Sequence, residues 1–216
     1  MVFNALSFSY WGGQCSILDS LYGGKVPGFV ISFSLTDMRL GDMLHDLTGR
    51  DNVYGNFSVN ATLNTSGVNV LSWVTQAEGK MVLVGRGIAV QGLNLPGVVN
   101  AVTVSRTASD VVNSVSSRLV DGVTTFSVDG NINVKNGMLR TPGIALKSDA
   151  IVGDLIGDVK LINWTMDLST LFQFPELSSE TVPTMSIQLS GPLKSGEMRT
   201  DTASLEAYVA KRIISR

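Results

Sequence analysis

The residues able to do chemistry are few and scattered. The single histidine, His45, stands in HDLTG, with Asp42 three residues before it and Asp46 beside it. On a helix, positions i and i+3 share a face, so Asp42 could orient the imidazole or join it on a metal. A zinc site needs three or four nitrogen, sulfur or carboxylate donors, and the chain owns one histidine and one cysteine, Cys15. Cys15 and His45 make a formal nucleophile–base pair. Yet WGGQCSILDS reads as a strand rising from a glycine turn, a setting in which a thiol is buried and inert. Serines abound, but none stands in a G-x-S-x-G elbow, and a triad would have to recruit His45. Asp154 and Asp158 alternate onto one strand face, which could serve sugar hydrolysis; solvated strand carboxylates account for them more simply. GRGIAVQG, residues 85–92, misses G-x-G-x-x-G and has no βαβ unit around it. No catalytic, metal or cofactor site emerges, and the expectation is a non-catalytic protein.

Composition says what such a chain can do instead. Its 216 residues suffice for a substantial core. Charged residues make up 16%, below the roughly 25% of an ordinary domain, and mean hydropathy is +0.24. No apolar run approaches the ~18 residues of a membrane-spanning helix. A net charge of -2 and a pI near 5.3 leave no basic footprint for nucleic acid. One cysteine cannot form an internal disulfide. MVFNALSFSYWGGQCS lacks a cationic start and a continuous apolar core, so it does not read as a signal peptide. The expectation is a cytosolic chain, or one whose natural start is not Met1.

The elements that would position any site are mostly strands. In FSVDGNINVKNGML, residues 126–139, Phe126, Val128, Ile132 and Val134 take alternate places with Gly130 among them, and polar residues fill the gaps. That period of two gives one oily and one wet face. The same alternation runs through NVYGNFSVNATL (52–63, with Phe57 and Val59), PGFVISFSL (27–35) and PTMSIQL (183–189). KMVLVGRGIAV (80–90) is apolar on both faces and reads as a central strand. Asn136-Gly137 predicts a two-residue hairpin turn into GMLRTPGIALKS, and IVGDLIGDVKLINWTMDL adds another strand to the meander.

Helical spacing appears in four places. RLGDMLHDLTG (39–49) carries Leu40, Met43, Leu44 and Leu47 and ends on a glycine cap; GVNVLSWVTQAEG (67–79) carries Val70, Leu71, Val74 and Ala77. SDVVNSVSSRLVDG (109–122) offers Ser109 as N-cap and Val111, Val112, Val115 and Leu119 as its stripe. The tail, TASLEAYVAKRIISR, has Leu205, Tyr208, Val209 and Ile213 on one side. Four modest helices cover only part of the apolar sheet face.

The C-terminal run IQLSGPLKSGEMRTDTASLEAYVAKRI resembles the closing signature of the AsmA-like C-terminal region. There a last strand leads into a Gly-Pro-Leu turn, a short basic stretch, an Asp and a helix ending in Arg, here Gly191, Pro192, Leu193, Arg199, Asp201, Leu205 and Arg212. Ser195-Gly196 stands where the family often has a proline. Upstream, LYGGKVPGFVISFSLTDMRLGDMLHDLTGRDNVYGNFSVNATLNTSGVNVLSWVTQAEGKMVLVGRGIAVQGLNL is similar to the family's order of strand, helix ending in Leu-Thr-Gly, strand, Gly-led helix and Gly-x-Gly strand. The resemblance thus spans nearly the whole chain.

It implies a mainly β fold with a few short helices (α+β): a curved antiparallel sheet forming a taco-like groove, with a C-terminal amphipathic helix. It implies one AsmA-like domain over 1–216, the C-terminal part of a longer chain. Such a protein would sit in the periplasm, attached to the inner membrane through an N-terminal anchor. It would bind or conduct phospholipid between the inner and outer membranes for outer-membrane assembly, with envelope proteins as possible partners, no nucleic acid and no cofactor. The groove residues expected to touch acyl chains are Phe57, Val59, Phe126, Val128, Ile132 and Val134. The same alternation also suits an extracytoplasmic β-sandwich or solenoid serving as an interaction or scaffold module.

Overall fold

A computed structural model describes residues 2–178 and 180–214. Eleven antiparallel strands form one sheet in strict chain order: β1 Val2–Tyr10, β2 Gly13–Tyr22, β3 Gly28–Arg39, β4 Val53–Ser66, β5 Glu78–Gln91, β6 Val123–Lys135, β7 Met138–Lys147, β8 Val152–Lys160, β9 Thr165–Gln173, β10 Thr184–Pro192 and β11 Glu197–Asp201. Each pairs with the next, and the sheet curves without closing on itself. A single sheet is not a sandwich, so the apolar faces do not cover each other as two packed layers would.

Register fixes which residues share the inner face. Ile31, Leu63, Gly79, Val134 and Leu139 stand in one row across β3 to β7; Phe33, Ala61, Met81 and Ile132 stand in the next. The sheet bends where registers shift. At the β4–β5 bulges Gly55 and Gly87 lie back to back with φ of 114° and 61°, and a side chain on Gly55 would strike the Gly87 carbonyl. This explains the glycines of GRGIAVQG: they form a bulge, not a phosphate cradle. Gly130 has a different cause. A Cβ there would come within 2.8 Å of the Ile144 backbone, so its hydrogen permits close packing of β6 on β7 rather than a bend at that residue. The curl is large enough that the Arg50 side chain, before β4, donates to the Lys194 carbonyl in the β10–β11 turn (3.3 Å).

Five helices accompany the sheet: α1 Leu40–Thr48, α2 Val70–Thr75, α3 Leu95–Val104, α4 Ala108–Leu119 and α5 Ala203–Ile214. The helix expected over 67–79 shrinks to α2, because Glu78 and Gly79 pair into β5 instead. That over 109–122 is capped by Thr107, not Ser109: the Thr107 hydroxyl accepts from the Asp110 amide and the Asp110 carboxylate accepts from the Thr107 amide. α3 was not anticipated, since its uniform apolarity hides any stripe; Asn94 caps it and Pro96 fits its first turn. The long segment from Ile151 divides into β8 and β9 around a turn at 161–164. Asn136-Gly137 makes the expected tight turn, with φ of 52° and 71°.

The main core lies where α3, α4 and α5 meet the sheet. Leu95, Val98 and Val102 of α3, Val111, Val115 and Leu119 of α4, and Leu205 and Val209 of α5 close over Phe126, Phe172, Met185 and Ile187. Each such side chain contributes roughly 1.5–3 kcal/mol on burial. Val112 and Ile213, expected on the apolar stripes, are exposed instead. Arg212 ties the last helix down: its guanidinium donates to the carbonyls of Val102 (3.2 Å) and Ser105 (2.6 Å) and lies over the Tyr208 ring. A smaller core forms under α1 from Met38, Phe57 and Val59, with Leu40, Met43 and Trp11 against them.

Candidate functional site: the inner face of the sheet

The helices meet the sheet mainly at β3–β4, β6 and β10, which leaves part of its apolar face without a helix. Ile31, Leu63, Ile132, Leu139, Leu155, Val159, Leu168 and Leu189 alternate onto that face, are half-buried and belong to neither core. They screen one another sideways across the curved sheet. Toward β1, a concavity of about 450 Å³ opens on this face, lined by Leu6, Ile17, Phe29, Ile31, Thr65, Trp73 and one carboxylate, Asp19. Its size falls within the ~300–1,000 Å³ of small-molecule sites. Trp73 reaches it because its indole donates to the Gly67 carbonyl (2.9 Å) and meets Phe29 edge-on at 5.1 Å.

The six residues expected to line a groove divide among three settings. Phe57 (6% exposed) and Val59 (5%) are covered by α1 and its neighbours, and Phe126 (3%) stacks on Phe172 at 6.0 Å beneath α3 and α4. Those three touch protein. Val128 lies at the margin of the larger core. Ile132 and Val134 lie in the region outside both cores, Ile132 half-buried and Val134 buried. Sequence reasoning placed Leu155 and Val159 on one side of a strand without counting them among the groove residues, and it passed over Leu139 and Leu168, although alternation marks them. It also passed over Leu83, because β5 is apolar on both faces and its inner set does not stand out.

The groups with chemical potential do not gather. Cys15 is buried on β2, whereas His45 is exposed on α1 and pairs through Nδ1 with Asp51 Oδ1 at 2.6 Å. That contact, with the Asp51 charge and smaller help from Asp46 and Asp42, raises the His45 pKa above its usual 6.5. Asp42 pairs with Arg39 instead of the imidazole (2.9 Å), and Asp46 accepts from the Trp11 indole (2.8 Å), holding α1 to the β1–β2 turn. Asp158 is engaged by Arg140 through two contacts of 2.7 and 2.9 Å, which lower its pKa, so it and Asp154 do not form a free carboxylate pair. Among the described residues no group of three or more His, Cys, Asp or Glu is placed to hold a metal, and no helix is long and apolar enough to cross a membrane.

Compared with protein-family profiles, curated proteins and solved structures, the chain matches none.

Proposed function

We propose that the uncovered part of the inner face is a groove that holds phospholipid acyl chains, and that the protein is a non-catalytic lipid-handling domain of AsmA type. One observation carries this reading: a row of half-buried aliphatic side chains on a curved sheet that neither a helix nor a second sheet covers. An alkyl chain laid along Ile31, Ile132, Leu155 and Leu168 removes apolar surface on both partners from water, worth about 0.8 kcal/mol per methylene. The headgroup stays at the edge of the trough, in water. Phe57, Val59 and Phe126 then build the walls, Ile132, with Leu139, Leu155 and Val159, forms the bed, and the buried Val134 supports it from beneath.

In this reading the domain works in the periplasm, attached to the inner membrane through a preceding segment. There it passes or stores phospholipid for outer-membrane assembly, alone or beside envelope proteins. The test is direct: purify the chain, extract it with organic solvent and identify lipids by mass spectrometry. Co-purified phospholipid that is lost in Ile132→Asp or Leu155→Asp is the expected result. A lipid-free protein that also fails to take up fluorescent fatty acid would overturn the reading.

A further inference from the structure

We infer that the turns β2–β3, β4–β5, β6–β7 and β8–β9 form a docking surface for an anionic lipid bilayer. In an antiparallel meander alternate connections lie at the same end of the ladder, and here they are neighbours in space. The Gly67 amide donates to the Pro27 carbonyl, the Asn136 amide to Ala77 and the Leu161 amide to Gly137, while Ile162 packs beside Gly137. This rim is apolar and exposed: Val26 54%, Val68 75%, Val70 66%, Leu71 64%, Ile162 56% and Trp164 54%.

The exposure is not incidental to how the rim is built. Polar contacts pin α2 to β4: the Thr65 hydroxyl donates to the Trp73 carbonyl, Ser66 donates to the Gln76 side chain (2.8 Å), and Asn69 and Ser72 cap each other, while the Trp73 ring meets Phe29 and Val74 is half-buried. Val70 and Leu71, at the start of the helix, point away from these contacts and into solvent. Trp164 holds a φ of 52° at a turn tip, a conformation that a bulky residue rarely adopts. Indole rings favour the water–lipid boundary.

Charge selects the kind of surface. Residues 23–27, 67–77, 136–137 and 161–164 contain no carboxylate, and Lys25, Lys135 and Lys160 flank them, with Glu78 at 3.9 Å from Lys135. The connections at the other end carry Asp42, Asp46, Asp51, Asp110, Asp121, Asp149, Glu176 and Glu180 against Arg50, Arg106 and Arg118, a net acidic balance. A chain of net charge -2 thus presents a basic, apolar end opposite an acidic one. The β10–β11 turn adjoins this rim, its Leu193 amide donating to the Trp164 carbonyl (2.8 Å), and residues 193–196 add Lys194 and no carboxylate, while the curl also brings Arg50 to the Lys194 carbonyl. Lysines over exposed aliphatic and indole groups match a bilayer of anionic headgroups better than a protein partner, which would leave the carboxylate-free rim without defined hydrogen-bonding partners.

Co-sedimentation of the chain with vesicles of equimolar phosphatidylglycerol and phosphatidylethanolamine tests this. Leu71→Asp with Ile162→Asp should weaken binding at least about tenfold, and Lys25→Glu with Lys160→Glu by at least roughly twenty-five-fold, about fivefold per lysine. Val112→Asp, on exposed α4, should leave binding unchanged, and circular dichroism should show all variants folded. Failure of the wild-type chain to bind, or binding indifferent to both double variants, overturns the inference. Acyl-chain capture is read separately, by extraction: the rim variants should retain captured lipid, and Ile132→Asp should lose lipid but still bind vesicles.

Discussion

Aspartate at two positions of one strand separates an open inner face from a closed one. Ile132 and Phe126 lie on the same side of β6, one outside both cores and one beneath α3 and α4. A half-buried isoleucine replaced by aspartate forfeits about 1 kcal/mol of burial, and if that face is open its carboxylate still meets water. For a chain of this size that lowers the melting temperature by about 2–4 °C. Phe126→Asp removes a ring stacked on Phe172, a loss in the ~3–5 kcal/mol class. It also buries a carboxylate without a partner, at a further cost of several kcal/mol. The sum rivals the ~5–15 kcal/mol that hold a domain folded, so no cooperative transition should remain. Thermal melts followed by circular dichroism, on delipidated protein at neutral pH, measure both; delipidation matters because bound ligand would itself raise the wild-type midpoint. If Ile132→Asp proves as damaging as Phe126→Asp, the middle of the face is covered by protein and the groove does not exist.

Three further outcomes are expected. Arg212→Ala removes two charge-assisted hydrogen bonds to the end of α3, each of a kind worth roughly 1.5–3 kcal/mol, and should raise amide exchange in α5 before the rest of the chain; unchanged protection there would show that Leu205 and Val209 suffice alone. The His45 imidazole should titrate by NMR with a midpoint above 6.5 that falls in Asp51→Asn. Because the folded-state pKa is the raised one, the pairing stabilises below the unfolded pKa and fades as pH rises through the folded value; a midpoint indifferent to Asp51→Asn would refute the assignment. Cys15, 6% exposed, should react with a thiol reagent only after denaturant unfolds the sheet, and rapid labelling of native protein would show that β2 opens freely.

Strands were legible wherever one face is wet. Phe126, Val128, Ile132 and Val134 alternate with Ser, Asp and Asn, and the turn at Asn136-Gly137 falls where its chemistry puts it. Legibility failed where pattern and environment part. α3 is apolar all round, so it gives no periodic stripe; it is recognisable only through Asn94 and Pro96 at its start. α2 misled in the opposite way. Its Val70 and Leu71 have the spacing of a buried stripe, yet they point outward, because spacing states which residues share a face and not what that face meets. The same limit applies to Phe57, Val59 and Phe126. Alternation placed them on the inner face, but only the arrival of α1, α3 and α4 decides that they touch protein, and those contacts cross long stretches of sequence. The glycines at 55 and 87 look like a loop signal and are a paired bulge, visible only once β4 and β5 are in register.

The strand order carries a consequence for how the molecule comes to be. Since every strand pairs with its immediate predecessor, the sheet can assemble as a succession of hairpins, most of them short loop closures and the longest at β5–β6, where α3 and α4 intervene. No strand need wait for one made much later. The helices break this locality: Leu205 and Val209 join Leu95 and Val111 only after the six strands from Val123 to Asp201 lie between them. Folding of this chain should therefore show a fast, nearly continuous growth of β structure, followed by a slower step in which α5 docks and the larger core sets. Before that step the sheet is present while Phe126 and Phe172 are still bare, and that interval is when the chain is most exposed to aggregation.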